Sequence, residues 1–221
     1  MRYLTNKSPL TLGLLVLSIA FVVFATSCAV TSQVHENVTY VSSNFSNSML
    51  ESEGLSLLPI VAGSGVEGYR RPFGEAMNSS ADSVLTNFMS WNDTLDRLND
   101  AELVSDYNNA IRSYQETGIV DRSILQKMSE STEKNYFFFV QLLPPEAERD
   151  ISYNYFSGGY SRTETKSVTA FGLVWSASDG DVVWEGSATA EVTTGDYSYT
   201  QETDMERAEK VARALVSSLM R

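Results

Sequence analysis

Histidine and cysteine are almost absent from this sequence. The 221 residues include one histidine, His35, and one cysteine, Cys28. Serine triads oriented by histidine, Cys–His nucleophilic pairs and the usual zinc sites all draw on these two residue types. Because His35 lies in a polar N-terminal segment and Cys28 is the predicted site of a lipid, we expect no catalytic residue, no metal and no cofactor.

Paired carboxylates are the catalytic chemistry that this composition leaves open. Asp179 with Asp181, and Glu146 with Glu148, are the pairs that the spacing suggests. A glycosidase acting on peptidoglycan needs two acids across a cleft. The first pair falls in a tight turn, and most acids of an acidic protein are solvated. A carboxylate-dependent cell-wall hydrolase is therefore a minor alternative, and we expect a protein that is not an enzyme.

Basic residues are also scarce. The chain has 16 Lys and Arg against 28 Asp and Glu, a formal net charge of −12. Nucleic-acid binding depends on Lys and Arg that neutralise phosphates, so nucleic acid is not an expected partner. The same acidity disfavours a general attraction to anionic lipid.

The N-terminus has the pattern of an export signal. Arg2 and Lys7 precede an apolar run from Leu10 to Phe24, and small residues follow it. A run of about 15 residues is short for a bilayer span, which takes roughly 20. Ala25-Thr26-Ser27-Cys28 resembles a bacterial lipobox, in which a signal peptidase cuts before a lipid-modified cysteine. Residues 1–27 are therefore predicted to be a lipoprotein signal peptide, with Cys28 as the lipidation site.

Lipidation gives the single cysteine a use, since an exported chain with one cysteine has no internal disulfide partner. Two or three acyl chains make a stable anchor where one is marginal. Ala29, which is not aspartate, follows Cys28. We expect an outer-membrane lipoprotein that faces the periplasm, with an uncleaved signal anchor or an ordinary signal peptide as the alternatives.

The mature chain divides into a linker and a domain. Residues 28–53 are rich in Ser and Asn and lack a clear hydrophobic period, so we expect a flexible tether. Residues 54–221 have enough apolar content for one globular domain. The predicted class is α/β (α+β): a mixed sheet with an antiparallel hairpin in its C-terminal half and helices packed on the sheet.

Strand and helix patterns follow one another through the domain. Leu55–Val61 is predicted to be a strand. Gly63–Gly68 matches the dinucleotide-binding pattern GxGxxG in form only. That motif needs a helix that begins near its second glycine, whereas Pro72 favours a helix that begins near residue 71. Further helices are predicted from Asn92 or Asp93 to 98, over 101–117 with Gly118 as the stop, and after Asp121 as cap. The run Asn135–Leu143 predicts a strand that is buried on both faces. Thr203–Glu206 reads as a capping box before a terminal helix over the sheet.

A hairpin is predicted between Val168 and Thr193. Asp179-Gly180 is a type I′ turn signal, and a two-residue loop there places Trp175 opposite Trp184. On that register one face carries the apolar residues of both strands: Phe171, Leu173, Trp175, Ala177, Val182, Trp184, Gly186, Ala188 and Ala190.

Tyrosines and a basic pair are the candidate partner surface. Tyr153, Tyr155 and Tyr160 lie among Ser, Asn and Gly around a turn at Ser157–Gly159, a composition that suits adaptable recognition. Ordinary strand tyrosines that half cover a sheet are the alternative. Arg70 and Arg71 form a rare basic pair, for which an anion site, pairing with Glu67 or Glu75, and plain solvation all stay open.

The order of these elements resembles the small envelope lipoproteins related to the curli-secretion lipoprotein and the penicillin-binding-protein activator lipoproteins. Leu57–Ile60, Tyr136–Phe139 and the hairpin segment Ser178–Gly186 carry the resemblance. It implies a non-catalytic periplasmic protein that binds another envelope protein as a regulator or assembly factor. The alternative is a subunit of an oligomeric outer-membrane secretion complex, in which the chain is its own partner.

Lipidation is the most direct test of the sequence interpretation. Labelled palmitate should enter the wild-type protein and not Cys28→Ala, because the thioether-linked lipid needs the Cys28 sulfur. Equal labelling of the two proteins would contradict an anchor at this position.

Overall fold

An eight-stranded mixed sheet and six α-helices make up the part of the chain that the computed structural model describes, residues 30–154, 159–195 and 202–221. The strands are β1 Thr31–Val41, β2 Leu55–Leu57, β3 Val61–Ala62, β4 Phe88–Met89, β5 Tyr136–Leu142, β6 Glu146–Asn154, β7 Gly159–Ser176 and β8 Val182–Gly195. The helices are α1 Asn47–Glu53, α2 Arg70–Asp82, α3 Trp91–Asp100, α4 Val104–Thr117, α5 Arg122–Thr132 and α6 Asp204–Leu219. The predicted α/β class is confirmed.

The strand order is β1-β8-β7-β5-β2-β4. β2 and β3 run parallel to β5, and β2 is also parallel to β4, whereas β1, β6, β7 and β8 pair antiparallel with their neighbours. The strand expected over Leu55–Val61 is divided into β2 and β3. Pro59 lies between the two pieces and has no N–H to give to the ladder.

β5 is the centre of the core. Phe138 and Val140 pack into an apolar cluster with helices α2 and α6, while Phe137 and Phe139 pack on the opposite face with α4 and α5. All four side chains are at most 1% exposed. The prediction of a strand covered on both faces is confirmed.

Local signals place most helix ends where the sequence predicts them. Gly118 ends α4 in the left-handed conformation at φ 73°, and the Asp121 carboxylate accepts from the Ser123 N–H at 2.8 Å at the start of α5. Thr203 and Glu206 form the capping box of α6. The cap of α3 is a correction, because Ser90 occupies that position in place of Asn92 or Asp93.

The glycine segment before α2 does not form a dinucleotide-binding turn. Glu67–Tyr69 forms one 3-10 turn, and α2 begins at Arg70, which leaves Pro72 in the first helical turn. Proline is tolerated there because the first helical N–H groups have no intrahelical acceptor. The predicted helix start near residue 71 is confirmed.

The prediction of a flexible tether over 28–53 is wrong for residues 31–53. Residues 31–41 form β1, which pairs with β8 from Thr31 opposite Thr193 to Val41 opposite Trp184. Residues 47–53 form α1, whose Leu50 is fully buried. The Ser/Asn-rich stretch between these two elements obscured a β-branched pattern that includes Val34 and Val38.

The predicted hairpin exists, but its register is wrong. The Ser176 N–H donates to the Asp181 carbonyl at 2.9 Å, so the loop has four residues in place of two. A bulge at Val174/Trp175 then sets Val174 opposite Trp184 and Trp175 opposite Val182.

The changed register puts the two tryptophans on opposite faces of the sheet. Trp184, Ala188 and Ala190 pack toward α2 and α6, and Leu173 and Trp175 pack toward α4 and α5. A one-residue shift moves every side chain of a strand to the other face. Because helices cover both faces here, apolar patterning alone could not detect the shift.

The central position of β5 predicts a large effect of truncation. Phe138→Ala should lower the free energy of unfolding by about 3–5 kcal/mol, since it removes a fully buried ring and leaves a cavity. Ile119→Ala, at a residue that is 68% exposed, should change it by about 0.5 kcal/mol or less. Urea denaturation measures both, and similar losses in the two variants would contradict the assigned core.

Candidate functional site

Two surfaces stand out: a projecting hairpin and a sheet edge. The hairpin, here called the arm, consists of β6 and residues 159–167 of β7, paired from Glu146 opposite Ser167 to Asn154 opposite Gly159. Only the later part of β7, Ala170–Ser176, pairs with β5. The arm therefore extends past the end of β5, although its residues 163–167 also pair with β8. Its side chains are mostly exposed, with Ile151 at 65% and Tyr160 at 75%.

Strand alternation gives the arm two different faces. Ala147, Arg149, Ile151 and Tyr153 share one face with their cross-strand partners Lys166, Glu164, Arg162 and Tyr160. This tyrosine face continues into the side of the sheet that α6 covers. Glu146, Glu148, Asp150 and Ser152 lie on the opposite face with Ser167, Thr165, Thr163 and Ser161.

Two of the three candidate tyrosines come together on the tyrosine face. Tyr153 lies directly opposite Tyr160, with ring centroids 4.9 Å apart and an interplanar angle of 56°. Tyr155, like Cys28, lies outside the described residues. Aromatic cross-strand pairs of this kind stabilise hairpins. The alternative, that these are ordinary strand tyrosines, therefore explains why the two rings are paired, but it does not explain why they are exposed.

An ion pair follows the tyrosines along the same face. The Arg149 Nε lies 3.1 Å from a Glu164 carboxylate oxygen. The hydrogen bond from Arg149 holds the pKa of Glu164 below its ordinary value, with smaller contributions from the charges of Arg149, Lys166 and Arg162.

The arginine pair lies on a separate element. Arg70 and Arg71 are exposed at the start of α2, and Arg71 forms an ion pair with Glu75 at 2.9 Å. This pairing is one of the alternatives that the sequence left open. β3, which precedes α2, pairs with the last residues of β5, so the arginines lie at the end of the sheet from which the arm projects.

The two carboxylate pairs lie at opposite ends of the sheet, and one member, Asp179, has a structural contact. The Ser176 hydroxyl donates to Asp179 at 3.0 Å within the β7–β8 loop, and Glu146 and Glu148 are exposed on the arm. Asp179 and Asp181 line an open, polar cleft of about 760 Å³ together with Tyr136 at the end of the sheet opposite the arm. Among residues 30–154, 159–195 and 202–221, no three His, Cys, Asp or Glu side chains are grouped as a metal site.

The second surface is the outer edge of β1. Within the described residues, β1 pairs only with β8, which leaves half of its backbone hydrogen-bonding groups on the open side. Val38 and Val41 are 42% and 51% exposed and line a groove of about 500 Å³ with Phe45, Trp184 and Leu219. The sequence interpretation missed this site because it treated the segment as a tether, although Val34 and Val38 were the available signal.

In the part of the chain that the structure describes, no helix is both long and apolar enough to cross a bilayer.

Distant similarity to solved structures accompanies this geometry, whereas the chain matches no protein-family model and no curated protein. The PelC dodecamer from Paraburkholderia phytofirmans is 11% identical, with a TM-score of 0.41, over 86% of this chain and 98% of that chain. Lipoprotein GNA1162 from Neisseria meningitidis is 11% identical, with a TM-score of 0.37, over 75% of this chain and 96% of that chain. The hypothetical protein CT253 from Chlamydia trachomatis is 10% identical, with a TM-score of 0.43, over 75% and 94%.

The Arg149–Glu164 contact predicts a pH response of the arm. Because the pKa of Glu164 is lowered in the folded state, the contact stabilises the arm at neutral pH and is lost as the pH falls through that lowered pKa. Arg149→Gln should raise the pKa of Glu164 toward its ordinary value in an NMR titration. Arg213→Gln, which removes a partner of Glu209 on α6, should leave it unchanged; equal effects would contradict the assigned pair.

Proposed function

We propose that the chain is a non-catalytic envelope lipoprotein, anchored through Cys28 to the outer membrane and facing the periplasm, that binds another envelope protein as a regulator or assembly factor. The Phe24–Cys28 segment supports the anchor. The observation that carries the binding role is the outer edge of β1, which no other described strand pairs with, beside an apolar groove.

An open strand edge binds proteins by adding a strand. Backbone hydrogen bonds supply affinity, and pockets for alternate side chains supply specificity. The groove of Val38, Val41 and Trp184 provides such a pocket on the side of the sheet that α6 covers. The expected ligand is therefore an extended segment of the partner with apolar side chains at alternate positions.

The composition of β1 supports a binding edge. Natural edge strands are usually protected by lysine, proline or bulges against unwanted pairing. Residues 31–41 contain neither lysine nor proline, and the pairing of β1 with β8 is regular from Thr31 to Val38, with a bulge between Val38 and Tyr40. The regular part, which includes Val34, is therefore the part of the edge that lacks these protections. Glu36, in the middle of the strand, is held by Arg221 at 2.6 Å, so its charge is paired within the domain.

The same edge also supports the alternative function, a subunit of an oligomeric secretion complex. Backbone groups that accept a partner strand also accept a strand of a second copy. The two functions differ in the identity of the added strand, which a crosslinking experiment reads directly.

Photocrosslinking from the edge tests the proposal. A photoreactive phenylalanine in place of Val34 should form adducts with another exported protein in cells. The same residue in place of Val84, which is 46% exposed on a loop outside the sheet, is the matched control. Val38→Lys should lower the adduct yield at position 34 because it places a charge in the groove.

Each other outcome has a defined meaning. Adducts of twice the chain's mass would favour self-assembly. A yield at position 34 no higher than at position 84 would contradict binding at this edge. Release of fragments from purified peptidoglycan by the protein would contradict the non-catalytic role.

A further inference from the structure

We infer that the tip of the arm, formed by Ile151, Tyr153 and Tyr160, rests in the headgroup region of the membrane that holds the lipid anchor. The ligand of this surface is thus the phospholipid interface. The inference rests on the proposed lipidation of Cys28 and adds a second, protein-mediated contact to it.

The sheet register sets the height of the anchor relative to the arm. Thr31 lies opposite Thr193, Thr193 lies opposite Thr165, and Thr165 lies opposite Glu148. The first residue of β1 is therefore level with the base half of the arm. Because β1 runs antiparallel to β8, its N-terminal end points toward the arm tip.

Covalent geometry limits how far the lipidated residue can lie from β1. Cys28 precedes Thr31 by three residues, which span at most about 10 Å. Tyr153 lies five residues beyond Glu148 along β6, about 17 Å at the usual rise of a strand. Measured along the strands, the tip reaches at least about 7 Å further than the lipidated residue. A membrane that receives the acyl chains of Cys28 is thus within reach of the tip.

The chemistry of the tip suits an interface. Residues 151–162 contain no Asp or Glu and a single basic residue, Arg162, in a chain of net charge −12. Tyrosine prefers the headgroup region because its ring is apolar and its hydroxyl is polar. Tyr153 and Tyr160 lie side by side there with Ile151 next along the strand.

The acidic residues of β6 lie toward the base of the arm, and a basic residue lies nearer the tip. Glu146, Glu148 and Asp150 lie nearer the base than the three tip residues, and Arg162, the one basic residue of 151–162, lies opposite Ile151. The acidity of the whole chain therefore does not oppose contact at the tip. Attraction there depends on aromatic and apolar side chains more than on net charge.

A depth measurement on the lipidated, full-length protein tests the inference. Cys28 is the one cysteine and its sulfur is blocked by lipid, so Ser161→Cys gives a unique thiol at the tip. An environment-sensitive fluorophore on that thiol should be quenched in vesicles of phosphatidylethanolamine and phosphatidylglycerol that carry quencher lipids. Ile119→Cys is the control and should not be quenched. Ile119 lies just before the start of α5, which contacts the β7–β8 loop at the opposite end of the sheet.

A loss-of-contact variant completes the test. The triple change Ile151→Ser, Tyr153→Ser and Tyr160→Ser should abolish the quenching difference between the two probe sites. In Cys28→Ala protein it should lower vesicle partitioning about tenfold or more, the loss expected for several exposed apolar side chains. An unchanged thermal unfolding midpoint shows that the variant folds.

The outcomes separate this inference from the proposed anchor. Wild-type protein that fails to sediment with vesicles any better than Cys28→Ala would contradict the anchor. Anchored protein with equal quenching at positions 161 and 119 would overturn the inference alone. A tip probe that is protected in cells but not in pure vesicles would also overturn it and assign the arm to a protein partner.

Discussion

The antiparallel pairing of β1 with β8 is the constraint on which the proposed arrangement depends. It fixes Thr31 beside Thr193 and so joins the N-terminal segment to the sheet edge. Because only Ala29 and Val30 lie between Cys28 and this strand, a lipid on that cysteine would hold the domain at one height and in one broad orientation. A flexible linker of residues 28–53 would have left both undetermined.

That orientation gives the two ends of the sheet different surroundings. In the proposed arrangement the arm and the start of β1 point toward the membrane, and the cleft that Tyr136 and Asp179 line opens at the opposite end, toward the periplasm. The outer edge of β1 runs between these two ends of the sheet, and the groove lies along the C-terminal half of β1, away from the arm. Lipid and a protein partner would therefore contact separate surfaces, and neither contact requires a reacting group.

Much of the fold was readable from local signals, and the errors have specific physical causes. The buried strand around Phe138, the stop at Gly118 and the Thr203 capping box depend on neighbouring residues and were predicted correctly. The pairing of Trp184 was not, because a longer loop and a bulge changed the register while helices on both faces hid the shift. β1 was missed because its partner, β8, is far away in the sequence. The arm tyrosines were identified from composition, but their proposed position near the anchor depends on that same long-range pairing.

Amide hydrogen exchange of residues 32–40 in the mature lipidated protein tests the central claim most directly. If β1 is a strand of the sheet, the amides that donate to β8 should exchange slowly, in alternation with fast amides on the open edge. Uniformly fast exchange across this segment would mean that it is a tether, and it would contradict the proposed fixed height of the domain above the membrane.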